Sequence, residues 1–340
     1  MAGTTRSMSL SKLTPEHAAL LPEPGAPDAC YLLDLSSWAR GLYELYRSRG
    51  VEVDHRDSTL VAAGVLKRLV DDVLVARRPA YLAVAMDVLG DLGWRHAIWA
   101  DYKAARRAAP PGPGYGRQLE VLLEVFLQHR IPVLRGGGHE ADDYLGALTQ
   151  RARAAGLRVV LLSLDQDLWQ LFEAASPGAV VSWDVSGGKV FAAADVERAY
   201  GVPPELLTQA MALAGDGDEA PGIAGIGPQK AARLLLRHKT LETVLTRWQW
   251  ETGKLGPKLR DGAAAARMSL ALVTLDRQAP VPWTLDQLAT GWSEVDATAI
   301  GRLGVKHGLG ILRDAEAMPK AAVDPERAAR WLAGGSPDRA

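Results

Sequence analysis

Residues 131–143 read IPVLRGGGHEADD. An apolar run, Ile131–Leu134, gives way to three glycines and then to Glu140, Asp142 and Asp143. A helical pattern follows from Tyr144 to Ala155, and Gly156 closes it. The three acids therefore stand where a strand turns into a helix. Acids in a first helical turn complement the helix dipole and cap free N–H groups, which by itself would account for them. Crowded carboxylates also raise one another's pKa unless a cation lies between them. Hard oxygen donors of this kind suit Mg²⁺ or Mn²⁺. Which explanation applies depends on whether other parts of the chain send acids to the same place.

Three other segments repeat the pattern. Tyr31–Leu33 is apolar and ends on Asp34, Tyr81–Met86 on Asp87, and Val159–Leu164 on Asp165 and Asp167. Strand, acid, helix, repeated along a chain, predicts an α/β protein with a parallel sheet and its carboxylates along one edge. Ligands of such sheets gather beyond the carboxyl ends of the strands. An isolated Asp at such a place is equally a helix cap; the repetition is what favours a metal site. Helices are predicted over Thr59–Ala76 and Gln118–Arg130, and a hairpin over Val180–Val190 with its turn at Gly187-Gly188.

Between the second acid and the central cluster, Arg95 precedes the stretch DYKAARR, residues 101–107. A bend rich in Pro and Gly, residues 110–116, comes next. Basic side chains interleaved with aromatics suit a cover that touches phosphates, although most such charge runs are solvated loops. In the second half, residues 215–219 read GDGDE and 221–230 read PGIAGIGPQK, ahead of a helix predicted over Ala231–Arg237. Gly222, Gly225 and Gly227 let the backbone approach a ligand closely, and the free N–H groups of the helix would face an anion such as a DNA phosphate. The competing explanation is a plain interhelical turn.

Composition sets the limits. The chain has 340 residues, 48% hydrophobic and 23% charged, with a net charge of −1. That is ordinary globular composition. It is not the strongly basic balance of many nucleic-acid binders, but metal-binding acids would offset a basic surface. No run of about 18 apolar residues is present, and Met1–Ser11 lacks the order of a signal peptide. Cys30 is the single cysteine, which excludes an intramolecular disulfide and makes the cytoplasm the default location. Residues 1–28 are punctuated by Pro and Gly and are expected to form a loose leader. Residues 136–138 lack the G-x-G-x-x-G spacing, which argues against a dinucleotide oxidoreductase.

At this point the sequence resembles a family: the 5′ nucleases and flap endonucleases, especially the 5′→3′ exonuclease domain of bacterial DNA polymerase I and its free-standing relatives. The stretches that carry the resemblance are LLDLSSW, AMDVLGDLGWRHAIWADYKAARR, IPVLRGGGHEADDYLGAL, VVLLSLDQDLWQL and YGVPPELLTQAMALAGDGDEAPGIAGIGPQKAARLLL, with SLALVTLDRQAPVPW a weaker one. They span roughly residues 30 to 315 in family order.

The resemblance implies a PIN-like (resolvase-like) core of mostly parallel sheet flanked by helices at 29–195, with an arch at about 101–120. It also implies a helical helix–three-turn–helix module at 196–315 and a tail at 316–340. Asp34, Asp87, Glu140 and Asp142 would surround a first Mg²⁺, with Asp143 close by; Asp165, Asp167 and Asp216 would hold a second. Mn²⁺ could substitute. The last acidic motif is one residue shorter than usual, so either Asp218 or Glu219 could complete it. Lys103 and Arg106 would contact the scissile phosphate, with Arg95 a basic residue ahead of the arch and Tyr102 beside it. The family's stacking aromatic is replaced by Arg40, with Trp38 two residues earlier, so either could stack on a base. Gly222, Gly225, Gly227, Gln229 and Lys230 would form the duplex-binding turn, which in the family often encloses K⁺.

The implied function is metal-dependent hydrolysis of DNA at 5′ flaps, nicks or free 5′ ends by a stand-alone monomeric nuclease, since no polymerase pattern follows residue 315. A PIN-like ribonuclease and a non-catalytic DNA-binding protein of the same fold are the alternatives. The arch departs from the family in its richness in Pro and Gly, which leaves open whether it is helical.

Overall fold

The computed structural model describes residues 13–55, 58–91, 93–217 and 219–290. Six strands form one sheet: β1 (Ala29–Asp34), β2 (Tyr81–Ala85), β3 (Val133–Leu134), β4 (Arg158–Leu162), β5 (Val180–Asp184) and β6 (Lys189–Phe191). Their order is β3-β2-β1-β4-β5-β6. All neighbours are parallel except β5 and β6, which form the expected hairpin. The chain order reverses between β1 and β4, so a crevice opens there at the carboxyl edge.

The strands alternate as a sheet covered on both faces requires. Tyr31, Leu33, Leu82, Val84, Val160 and Leu162 enter one core, under the helices Leu35–Ser48, Leu60–Arg68 and Pro113–Gln128. Cys30, Leu32, Ala83, Ala85, Val159 and Leu161 enter the other, under the helix Ala141–Ala154. Period-two side-chain alternation feeds both layers from one strand. A third core belongs to the second half, where the helices Leu207–Ala214, Pro228–His238, Leu241–Thr246, Leu255–Asp261 and Ala263–Val273 pack around Leu213, Ile223, Leu235 and Leu259.

Three features differ from the expectations. Residues 13–28 are packed, not loose: Leu21 is buried in the first core, and His17 Nδ1 lies 3.2 Å from the Gly188 carbonyl oxygen. The helix expected over Thr59–Ala76 begins as an α-helix and continues from Leu69 to Val75 in a wider π winding. The helix after the arch starts at Pro113, not at residue 118, because proline is compatible with a first helical turn, where its missing N–H has no intrahelical role. The tail at 316–340, the end of the second module beyond residue 290 and the first twelve residues of the leader lie outside the described residues. Among the described residues no helix is long and apolar enough to cross a membrane.

Candidate active site

Asp34 is the last residue of β1 and also caps the helix that follows: its Oδ1 accepts from the Ser37 amide at 2.9 Å. Its Oδ2 accepts from Ser163 Oγ at 2.7 Å, which ties the ends of β1 and β4 across the crevice. Asp87 lies two residues beyond β2. Its Oδ1 accepts from the Ala141 amide at 2.8 Å, and its own amide donates to Ser36 Oγ at 2.8 Å. The loop after β3 turns through Gly136, Gly137 and Gly138 with φ of +73°, +64° and +77°, a left-handed run open only to glycine at low cost. That turn delivers Glu140 to the N-cap of the Ala141–Ala154 helix, with Asp142 in its first turn. After β4, Ser163 Oγ accepts from the Asp165 amide at 3.0 Å, and Asp165 Oδ1 accepts from the Asp167 amide at 2.9 Å. The second half sends Asp216 and Glu219 from a tight turn closed by the Asp216–Ala220 bridge. Carboxylate oxygens of Asp167, Asp216 and Glu219 lie within 4.8 Å of one another.

Electrostatics links these acids into one cluster. Burial, with Asp87 and Asp165 adding to it, pushes Asp34 up to about 7. Burial and the charges of Asp165, Asp34 and Asp87 push Asp142 well above the usual carboxylate range. Asp167 rises for the same reason, through burial and then Asp165, Glu219 and Asp216. Burial also raises Asp87, against the pull of Lys103. Groups this crowded are held together at a cost that a cation removes, so the donor set fits hard divalent ions.

Lys103 reaches into the cluster from the arch. Its ammonium donates to Glu140 Oε1 at 2.8 Å and lies 3.8 Å from Glu219 Oε2. Arg106 pairs with the other oxygen of Glu219. Lys103 takes a left-handed backbone conformation, φ +53°, at the entry to the short helix Ala104–Ala108. Thus Lys103 and Arg106 lie at the pocket, paired with Glu140 and Glu219. Asp218 lies outside the described residues.

Other assignments change. Asp143 faces away from the cluster. Its side chain is fully buried, Arg95 grips it with two hydrogen bonds of 2.8 and 2.7 Å, and it also accepts from the Asp276 amide. Both carboxylate oxygens accept hydrogen bonds from these partners and from the Glu140 amide. Arg95 is equally occupied: it donates to the Leu272 and Thr274 carbonyls and to Glu140 Oε2, and it is too buried to meet substrate. The pair instead orients Glu140 and bolts the second module to the first. Tyr102 is buried with its hydroxyl on Glu140 Oε2 at 2.8 Å, where it holds a carboxylate in place. Trp38 is buried in the first core, whereas Arg40 is half-buried, with Glu44 at 3.1 Å.

The glycine-rich turn sits apart, in the second module. Gly222 has φ +61°, and a Cβ there would come within 2.5 Å of the Gly215 Cα, so only glycine fits. Lys230 donates to the Gly225 carbonyl at 2.8 Å, a carbonyl that would otherwise be open to a cation. Gly227 caps the Pro228–His238 helix, and Gln229 is exposed in its first turn. Sequence reading passed over Ser36, Ser37 and Ser163: Ser37 and Ser163 each bond an acid within three residues, Asp34 and Asp165, whereas Ser36 bonds the Asp87 amide from 51 residues away.

Carboxylates at the carboxyl edge of a parallel sheet, a basic segment over them and a helical module beyond define a resolvase-like α/β domain with an appended helical fold. The N-terminal resolvase-like domain of the 5′-3′ exonucleases matches residues 29–201, and their C-terminal SAM fold matches residues 202–296. The chain belongs to the 5′-3′ exonuclease family. It is 34% identical over 226 residues to DNA polymerase I of Bacillus caldotenax, covering 65% of this chain and 25% of that one. It is 31% identical to the flap endonuclease Xni of Shewanella amazonensis, covering 64% of this chain and 83% of that one. The chain thus spans about a quarter of the length of the polymerase relatives it matches. Among solved structures, T5 5′-exonuclease with bound zinc aligns with a TM-score of 0.60 at 16% identity, covering 83% of this chain and 98% of that one. The catalytic core of Rad2 with DNA aligns at 0.51 and 12% identity, covering 86% and 93%.

Proposed function

We propose that the protein is a structure-dependent 5′→3′ DNA exonuclease and flap endonuclease that hydrolyses phosphodiesters with two divalent ions, Mg²⁺ by preference. One observation carries this reading: Asp34, Asp87, Glu140, Asp142, Asp165, Asp167, Asp216 and Glu219, from separate segments of chain, form one electrostatically linked pocket with Lys103 at its centre. Asp34, Asp87, Glu140 and Asp142 would hold one ion, and Asp165, Asp167, Asp216 and Glu219 the other. Ions held there would polarise the phosphate and activate water for attack.

The chain's own groups do the rest. Lys103 and Arg106 exchange their carboxylate partners for the non-bridging phosphate oxygens, where charge grows as the bond breaks. Arg95 and Tyr102 hold Glu140 in place meanwhile. Ser163 and Ser37 fix both oxygens of Asp34. The glycine-rich turn at Gly222–Gly227 receives duplex phosphates at the start of the Pro228–His238 helix. Enclosure of K⁺ by this turn remains part of the proposal and is tested by exchanging K⁺ for Na⁺ in a duplex-binding titration.

The deciding assay follows 5′-labelled flap, nicked and single-stranded DNA in Mg²⁺ and then in EDTA. Short 5′ products are expected from flap and nicked duplexes in Mg²⁺ and none in EDTA. Cleavage of RNA in preference to DNA, or DNA binding with no product, would overturn the reading.

The acid cluster also predicts how stability depends on pH. A carboxyl whose folded pKa is raised keeps a proton that the unfolded chain releases. For Asp34 the folded state therefore loses stability as pH rises from about 3.8 to about 7. Divalent ions offset that loss. Saturating Mg²⁺ should raise the melting temperature by roughly 5–10 °C at pH 8, corresponding to about 3 kcal/mol of binding linkage. The gain should be distinctly smaller at pH 5.5. An equal gain at both pH values would show that the ions bind elsewhere.

A further inference from the structure

We propose that Trp250, backed by Arg247, is a stacking seat for an unpaired nucleotide of the DNA held by the second module. The inference rests on the nuclease reading above and adds a contact outside both the acidic pocket and the glycine-rich turn.

Trp250 is 66% exposed, the most exposed large apolar side chain among the described residues. It is held rigidly in that position. It ends the short helical turn Trp248–Trp250, which lies against the helix Leu255–Asp261. Contact is close at Gly256, where a Cβ would fall 2.6 Å from the Trp248 carbonyl oxygen and 3.5 Å from its ring. On the other side Glu251 is fastened by Arg237 at 3.0 Å and His238 at 2.8 Å. Trp250 is thus presented to solvent by anchored neighbours, a preorganised arrangement that costs little entropy on binding. The Arg247 guanidinium carbon lies 4.5 Å from the centre of its ring. One face is backed by a cation, which strengthens stacking on the other.

Charge identifies the occupant. The whole chain balances 39 Lys and Arg against 40 Asp and Glu, yet residues 228–267 hold nine of the former and three of the latter. Those three acids are all paired internally: Glu242 with Arg267, Glu251 with Arg237 and Asp261 with Arg260. The remaining surface is a positive field, complementary to a polyanion. It is also continuous with the glycine-rich turn. The Leu255–Asp261 helix places the Lys258 ammonium against Gly225 and the Arg260 guanidinium over the Trp248 ring at 5.3 Å. A protein partner would ask for an apolar patch, but Gln249, Thr252, Gly253 and Lys254 around Trp250 are polar or small and exposed. A paired base shows only its edges, so the aromatic face selects an unpaired one.

The test is a binding titration in EDTA, which prevents cleavage, by fluorescence anisotropy. The probes are a blunt hairpin duplex and the same duplex with a ten-nucleotide single-stranded extension. The full chain should bind the extended probe more tightly. W250A should lose about tenfold in affinity for the extended probe and nothing for the blunt one, and W250F should stay within about threefold of the parent. A 2-aminopurine in the extension should be quenched on binding to the parent and brighten with W250A. Unchanged affinity of W250A for the extended probe, or equal losses on both probes, overturns the stacking seat while leaving the nuclease reading intact. Failure of the parent to bind either probe refutes both.

Discussion

The double variant D142A/D165A should cleave a labelled flap duplex at less than about a thousandth of the parental rate, while its metal-free form melts no lower than the parent. The first half follows from removing one donor from each proposed ion site, since each ion is worth several kcal/mol of transition-state stabilisation, and each 1.36 kcal/mol is tenfold in rate. The second half follows from the cluster's own repulsion. Asp142 is forced well above the ordinary carboxylate range by burial and by Asp165, Asp34 and Asp87, so its deletion relieves a strained group and eases its neighbours. Stability and activity should therefore move apart, the usual relation at a site built of like charges. The gain in melting temperature on adding Mg²⁺ should also shrink. A variant that cuts at the parental rate would sink the assignment. A variant that is inactive and also melts far lower would show that these acids support the fold instead of the chemistry.

The sheet and the acids at its edge were legible because both depend on local pattern. Short apolar runs ending on an acid can be read from any one segment, and four such runs in series imply one edge. The convergence of Asp34, Asp87, Asp142 and Asp165 needed only that strands in a parallel sheet all point the same way. What escaped reading depends on partners distant in sequence. Trp38 sits near an expected stacking position, but helical periodicity with Leu35, Ala39 and Leu42 turns it into the core. Arg95 and Asp143 each look functional alone, and only the return of residues 272–276 from the second module shows that they satisfy one another. Tyr102 stands in a basic, aromatic stretch that suits a DNA contact, yet it is buried and shares the Glu140 carboxylate with Lys103, a partner distant in sequence. The choice of Glu219 was open because the spacing of residues 215–219 departs from the family pattern. The Asp216–Ala220 bridge closes that turn and leaves a Glu219 carboxylate oxygen within 4.8 Å of Asp167 and Asp216.

Arg95→Ala should cost about 3–5 kcal/mol, the range for breaking a buried ion pair by removing one partner, and lower the melting temperature by roughly 10 °C. Asp143 has no exposure at all, and burial alone would raise its pKa; the Arg95 hydrogen bonds and charge reverse that and hold it below the ordinary value of 3.8. Without the guanidinium, Asp143 must keep a buried negative charge unpaired or take up a proton. The sign of the pH dependence is fixed by the direction of the shift. A depressed carboxyl contributes stability above its unfolded pKa and loses it as pH falls through the folded one. The gap between R95A and the parent should be full at pH 7 and close as pH falls below about 3.8. Two further readings separate this pair from a generic packing defect. The double variant R95M/D143L, apolar on both sides, should recover most of the lost stability, since well-packed apolar replacements of buried ion pairs are neutral or better. It should not recover the cleavage rate, because Glu140 loses the Arg95 bond that orients it between Lys103 and Tyr102. If R95A melts within about 1 °C of the parent, or if the double variant restores activity along with stability, then the pair neither joins the two modules nor positions the carboxylate.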